Sequence, residues 1–288
     1  MNVNPPQVST PQHQHLNPHD IKAQTTLKIT GLFWFAIVVL GQWAFLYYIA
    51  AFYGVSIISG DISIWNRYEP LGSTPFKVGD TAGNTMFGIH ALGAGIVAFA
   101  GALQLIPQVR QWAPRFHRWN GRVFLVTVIA LSLSGFYLVW VRGSSPNTLS
   151  AIGTTINGLL ILSFSYLTLA RIRAKAIASH RRWALRLFLV ANAQWFLRVG
   201  VFSYLMVGNA LGAEPNLNSP FFIFWTFGCY LLPLAILELF LYAKSHNYTL
   251  IAWGVSALVL ALTLLMLGGI IGLGFFFQLI INGDPIPF

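Results

Sequence analysis

The sequence predicts an all-α integral membrane protein, a polytopic bundle of about seven transmembrane helices. Of its 288 residues, 56% are hydrophobic and only 8% are charged, whereas soluble domains carry about a quarter charged residues. So few charges cannot cover a water-exposed surface. Apolar runs near the ~20 residues that cross a bilayer recur along the whole chain, and short basic loops separate them.

The order of polar and apolar segments predicts a tail followed by one membrane domain. Residues 1–27 are polar, rich in proline and without an apolar core, which indicates a disordered cytoplasmic tail and not a signal peptide. Residues 28–288 then form a single transmembrane domain. Its apolar runs lie at about 29–55, 84–107, 121–141, 149–170, 184–208, 220–243 and 249–279.

The basic residues predict the orientation of these spans. With the N-terminus in the cytoplasm, 13 of the 17 Lys and Arg lie on the cytoplasmic side, as the positive-inside rule requires, and the C-terminus lies outside. The formal net charge of +10 therefore indicates contact with membrane lipids and not with nucleic acid.

An internal repeat joins the second to fifth spans. Residues 117–124 match residues 181–188 in the pattern Arg-Trp-x-x-Arg-x-Phe, at an offset of about 64 residues. Each copy follows a span that enters the cytoplasm and opens a span that leaves it. Residues 84–142 and 148–206 are therefore candidate repeated hairpins of one orientation.

The repeated loops place guanidinium groups and Trp rings where lipid headgroups lie. Anchoring in the membrane is sufficient to explain them. The functional alternative is a cytoplasmic basic site for an anionic headgroup, a haem propionate or an acidic partner. Its candidate residues are His117, Arg118, Trp119, Arg122, His180, Arg181, Arg182, Trp183 and Arg186.

Polar residues inside the spans are the candidates for a ligand site. His90 and Arg198 need a partner or a cavity within hydrocarbon. Counted from the outer ends, His90 lies ~9 Å and Arg198 ~15 Å deep, with Asn157 between them. These three predict one outward-facing pocket, and Gln104 shares a helix stripe with His90. Alternatively, Arg198 only cross-links helices through backbone carbonyls.

Glu238 is the one carboxylate well inside a span. It lies near the cytoplasmic end of the sixth span, at the level of Arg186, so we expect an ion pair between the two residues. If that pair opened to water, Glu238 could instead relay protons.

Haem b is the alternative cofactor to a quinone. Bis-axial ligation needs two ligands at one depth on facing helices. His90 has only Met206 as a candidate partner, whereas His117 and His180 share a depth and have Arg neighbours suited to propionates. We expect no metal site, because the N-terminal histidines lie in the polar tail and Cys229 is the single cysteine.

Three segments together resemble a bacterial family of multi-pass membrane proteins that is known only as a domain of unknown function. They are His90, residues 101–105 and the His-Arg-Trp-Asn-Gly-Arg loop at 117–122. The resemblance covers about residues 85–240. It implies a helical protein of the bacterial inner membrane and brings no activity or ligand with it.

Three functions remain in consideration. The first is intramembrane binding of an anionic or amphipathic ligand, lipid-like or quinone-like. The second is membrane electron transfer through a b-type haem. The third is a non-catalytic accessory or assembly subunit of a larger membrane complex. The sequence contains no phosphate-binding Gly-rich loop, Gly-x-Ser-x-Gly elbow or His-Glu-x-x-His motif, and this leaves open whether the protein is an enzyme.

Overall fold

A computed structural model describes residues 18–71, 74–212, 219–246 and 248–285. These ranges contain helices and turns without any β-strand, which confirms the all-α prediction. The first 17 residues of the predicted tail and the C-terminal Phe288 lie outside the described residues.

Eight long helices build the bundle. They are α1 Pro18–Ser59, α2 Thr81–Leu105, α3 Pro114–Val141, α4 Thr148–Arg173, α5 Ile177–Ala191, α6 Ala193–Ala210, α7 Pro220–Ser245 and α8 Thr249–Asn282. Six of them are each long and apolar enough to cross a membrane, and α5 with α6 forms a seventh span that bends by 56°. The prediction of about seven spans is confirmed, and the fifth span, predicted at about 184–208, consists of two helices joined at Asn192.

The first helix begins earlier than predicted. It starts at Pro18, so residues 18–27 are helical and do not belong to a disordered tail. Ala23 and Leu27 are fully buried in a small apolar cluster with Ala243 and Ala252, and the Gln24 side chain donates to the Ala243 carbonyl at 2.9 Å. This segment is thus held against the α7–α8 turn, a tertiary contact that outweighs its polar composition.

The bundle has two faces. The turns α2–α3, α4–α5 and α7–α8 lie at one end with the start of α1, and we call this end the arginine-rich face. At the opposite face, a 3₁₀ helix at Ile62–Leu71 packs back onto the bundle. Its Trp65 is 2% exposed and donates to the Ser56 hydroxyl at 2.7 Å. The connection between α1 and α2 is therefore a packed cover.

Small residues bring the two candidate hairpins together. A Cβ added at Gly101 of α2 would lie 2.9 Å from Phe124 Cε2 of α3 and 3.2 Å from Phe188 Cδ2 of α5. Phe124 and Phe188 occupy matched positions of the repeat and are both buried. Gly101 thus lets the first helix of one hairpin contact the second helix of both.

Candidate functional site

The fifth span breaks at Asn192, near its middle. The Asn192 side chain donates to the Phe188 carbonyl at 2.8 Å, and its own carbonyl accepts from the backbone N–H of Trp195 and Phe196 at 3.0 Å. An Asn side chain that donates to the carbonyl one turn earlier competes with the backbone hydrogen bonds of the helix, and such competition bends helices. Asn192 is 4% exposed, so α6 begins inside the protein.

Trp195 of α6 packs on Gly41 of α1 beside this break. Trp195 Cζ2 would lie 2.6 Å from a Cβ added at Gly41, and one carbon joins Cζ2 to the indole nitrogen. The Trp195 N–H therefore lies near the α1–α6 contact at Gly41, the residue before Gln42. Gln42 is 0% exposed and Trp195 2%, and neither the Gln42 amide nor the Trp195 N–H has a hydrogen-bond partner among the described residues.

Arg198 lies one turn further from the arginine-rich face. Its Cζ is 5.7 Å from the centre of the Phe45 ring, and it donates to the Gln194 carbonyl of its own helix at 2.8 Å. The described ion pairs do not include it. Its hydrogen bond does not cross between helices, which does not support the cross-linking alternative.

His90 lies within electrostatic range of Arg198. Its Nδ1 is 2.9 Å from the Ser134 hydroxyl, which in turn donates to the Leu131 carbonyl at 3.1 Å. Because that hydroxyl has a single proton, His90 Nδ1–H is the donor, and Nε2 is left as an acceptor. We call Gln42, Asn192, Trp195, Arg198 and His90 the polar centre.

Asn157 lies at a different helix contact. On the parallel helices α4 and α7, Gly153 packs against Thr226, so Asn157 and Tyr230, each four residues later, share a level. Asn157 Oδ1 and the Tyr230 hydroxyl are buried without a hydrogen-bond partner among the described residues. No contact described for Asn157 joins it to His90 or Arg198, and its membership of their pocket stays a prediction.

Gln104 does not belong with His90. Its amide donates to the His117 carbonyl at 2.9 Å, at the arginine-rich end of α2, while His90 lies 14 residues away toward the opposite face. At ~1.5 Å per residue the two are ~21 Å apart along the helix. Gln104 closes the α2–α3 turn. It lies on the same face of α2 as His90, as predicted, but too far along the helix to share a pocket with it.

The two basic loops have the same local geometry. Arg122 lies over Trp119 with its Cζ 4.9 Å from the ring centre, and Arg186 lies over Trp183 at 4.7 Å. Only Arg186 also pairs with a carboxylate, since it donates to both Glu238 oxygens at 2.7 and 2.8 Å. The expected Glu238–Arg186 ion pair is therefore present, and it distinguishes the second loop from the first.

The remaining residues of the predicted basic site include exposed arginines and a histidine that is hydrogen-bonded to a neighbouring helix. Arg118, Arg181 and Arg182 are exposed. His180 Nδ1 donates to the Thr168 carbonyl at 3.0 Å, which leaves Nε2 free to accept. His117 lies close enough to His180 for their charges to interact.

Met206 does not face His90. A Cβ added at Gly268 of α8 would meet the Met206 methyl group, so Met206 packs on α8 and not across from the histidine. The second axial pair considered for a haem, His117 and His180, lies at the arginine-rich face.

Two functional candidates were missed from the sequence. Gln42 stands alone in an apolar run, and that isolation was the available signal. Arg142, 3% exposed in its side chain, donates to Asp80 at 2.9 Å and to Asn84 at 2.6 Å. This bond to Arg142 lowers the pKa of Asp80. The signal for this pair was a carboxylate before α2 and a guanidinium after α3, at the same end of one hairpin.

Comparison with known proteins identifies a family without an activity. A sequence model described as a predicted membrane protein (DUF2306) matches residues 87–241, from the second turn of α2 to near the end of α7. No curated protein and no solved structure matches the chain. The matched region contains His90, Arg198 and Glu238, while Gln42 precedes it.

Proposed function

The chain belongs to the DUF2306 family of predicted membrane proteins, and we propose that it binds an amphipathic, quinone-like or lipid-like molecule through the polar centre. The ligand would place its polar head between α1, α2 and α6, and its tail along the apolar bundle surface. The observation that carries this proposal is Gln42, a fully buried amide without a hydrogen-bond partner among the described residues.

An unpaired buried amide is an unfavourable feature in a membrane protein. A donor or acceptor left unsatisfied costs about 1–3 kcal/mol in a protein interior and more in hydrocarbon, where water is absent. Trp195 packs on Gly41, the residue before Gln42, so both unpaired groups belong to the same part of the bundle. A ligand head that supplies both partners would recover this free energy on binding.

The chemistry of the polar centre limits the ligand. Trp195 can only donate, whereas Gln42 both donates and accepts, so the head needs at least one carbonyl or hydroxyl oxygen. His90 Nε2 would accept from a hydroxyl, as in a quinol. Arg198, over Phe45, would favour a head that carries or develops negative charge. Movement of α6 about Asn192 would open the contact for entry.

Three variants of the full chain test this proposal. Each of Trp195→Phe, His90→Ala and Arg198→Leu removes one predicted contact, so each should lower the amount of a co-purified amphipathic molecule by about tenfold, the effect of ~1.4 kcal/mol. Mass spectrometry of the solvent extract measures it. Trp43→Phe is the control, since Trp43 is exposed on the bundle surface. Equal ligand content in all four variants and the natural chain would refute the proposal.

A b-type haem is a second candidate, and the observation that favours it is the orientation of His180 at the arginine-rich face. His180 Nδ1–H is held by the Thr168 carbonyl, as outer-shell groups hold metal-ligating imidazoles. A Soret band in the purified chain after haem supplementation, lost in His180→Ala, would support it. A colourless preparation would count against it. A role as an accessory subunit would show as co-purification with a partner protein in mild detergent.

A further inference from the structure

A groove opens between α5 and α7 at the arginine-rich face. Its volume is 680 Å³, and its polar lining comes from Arg182 and Arg186 on α5 and from Glu238, Tyr242 and Ser245 on α7. Its two residues on α5 precede Asn192, and Arg182 lies more than two helical turns from it, so the groove is separate from the polar centre.

The groove carries one uncompensated positive charge. Arg186 is neutralised by Glu238 through two hydrogen bonds. Arg182, four residues earlier on the same face of α5, is exposed and belongs to neither of the described ion pairs. An anion in the groove would therefore meet Arg182 first, with the Tyr242 hydroxyl on the facing helix.

The groove also has an apolar zone. Ala235, Leu239 and Leu241 of α7 complete its lining, and Ala235 lies two turns further into the membrane than Tyr242. Arg182, Tyr242 and Ser245 lie at the mouth, and Leu239 and then Ala235 lie deeper along α7, an order that suits a phosphate at headgroup level with an acyl chain below it. A free phosphate ion would leave the apolar zone unused.

The matched residues of the first hairpin are arranged differently. Its matched residue, Arg118, is exposed beside Trp119, which is 66% exposed. In the second hairpin, Trp183 packs on Phe164 with ring centres 5.2 Å apart. The Arg186 guanidinium lies over the Trp183 ring. The Trp on Phe packing and the Arg–Glu ion pair are thus described for the second loop, and Arg118 offers a matched control.

We propose that this groove binds the phosphate of an anionic phospholipid through Arg182, with Glu238 setting the charge of the site. The proposal is independent of the ligand of the polar centre. It predicts opposite effects for two neutralising substitutions. Arg182→Gln removes the free charge and weakens binding, whereas Glu238→Gln releases Arg186 and strengthens it.

The test is native mass spectrometry of the full chain from detergent containing phosphatidylglycerol or phosphatidylcholine. Retained phosphatidylglycerol should fall about fivefold in Arg182→Gln, the effect of one basic group at a membrane surface, stay unchanged in Arg118→Gln and rise in Glu238→Gln. Phosphatidylcholine should be retained less than phosphatidylglycerol by the natural chain.

Three results would overturn the proposal. Equal losses in Arg182→Gln and Arg118→Gln would indicate general surface attraction and no site. A loss in Glu238→Gln as large as in Arg182→Gln would mean that the ion pair only holds the helices together. Displacement of phosphatidylglycerol by inorganic phosphate would assign the groove to a soluble anion.

Discussion

The two hairpins of the bundle share their loops and differ in their interiors. In both loops an Arg lies over the Trp three residues earlier, and in both the following Phe packs at Gly101. One helical turn later they diverge. The first hairpin has the buried Val128 within a continuous helix, and the second has Asn192 at the break between α5 and α6.

The difference extends to the way that each hairpin treats its polar groups. In the first, His90 is paired with Ser134. At the position that matches Ser134, the second hairpin has Arg198, which has no carboxylate partner among the described residues. Nearby, Trp195 is unpaired. The two loops therefore have the same local geometry, whereas the interior of the second hairpin holds Trp195 and Arg198 without such partners among the described residues.

Exchanging the residues that distinguish the hairpins should have the largest effect. Asn192→Val removes the side chain that competes with the helix ladder, so ligand content should fall about tenfold while the chain stays folded. Val128→Asn buries an amide at a site 2% exposed and should destabilise the protein by ~1–3 kcal/mol. Mass spectrometry and thermal unfolding in detergent measure the two effects. Unchanged ligand content in Asn192→Val would show that the break in the second hairpin is not needed for ligand binding.

The next effect concerns Gly101, where the hairpins meet. In Gly101→Ala the new methyl group would collide with Phe124 and Phe188, and overpacking of this kind costs ~1–3 kcal/mol. Gly254→Ala in α8 is the control, because a Cβ there meets nothing within 4 Å. Equal unfolding temperatures for these two variants would mean that the hairpins do not pack as described.

The smallest effect lies at the opposite face, where Asp80 and Arg142 join the ends of the first hairpin. The hydrogen bond from Arg142 lowers the pKa of Asp80, so the folded state favours the ionised carboxyl. Its contribution to stability is present above the ordinary Asp pKa and is lost as the pH falls through the lowered value. In Asp80→Asn the unfolding temperature should vary less with pH below about pH 4 than it does in the natural chain. Asp61→Asn should leave this pH dependence unchanged.

The fold could be predicted because a bilayer imposes a simple rule on sequence: an apolar run of the right length becomes a helix. The Glu238–Arg186 pair was within reach for a similar reason, since counting residues along straight helices gives depth. The bend at Asn192 could not be predicted, because the two helices on either side of it are together apolar enough to cross a membrane. Only one amide marks the break. Gln104 was grouped with His90 because only the helix face was compared. Counting the residues between them would have shown that they lie at different depths.

Side-chain partners were the least predictable part of the site. Gln42 is distinctive because its buried amide has no partner among the described residues, and the residues that face a side chain cannot be read from one segment. Arg142 and Asp80 are 62 residues apart and belong to loops whose shape is tertiary. The start of α1 at Pro18 depends on burial of Ala23 and Leu27 against the α7–α8 turn.

Gln42→Leu offers the most direct test of the central claim that the polar centre holds its groups ready for a ligand. Leu has a similar volume and no polar atoms, so it removes an unpaired amide without opening a cavity. The ligand-free variant should unfold at a higher temperature than the ligand-free natural chain, by the equivalent of ~1–3 kcal/mol, while retaining about tenfold less co-purified ligand. A lower unfolding temperature together with unchanged ligand content would show that Gln42 is a structural residue, and the account would be wrong.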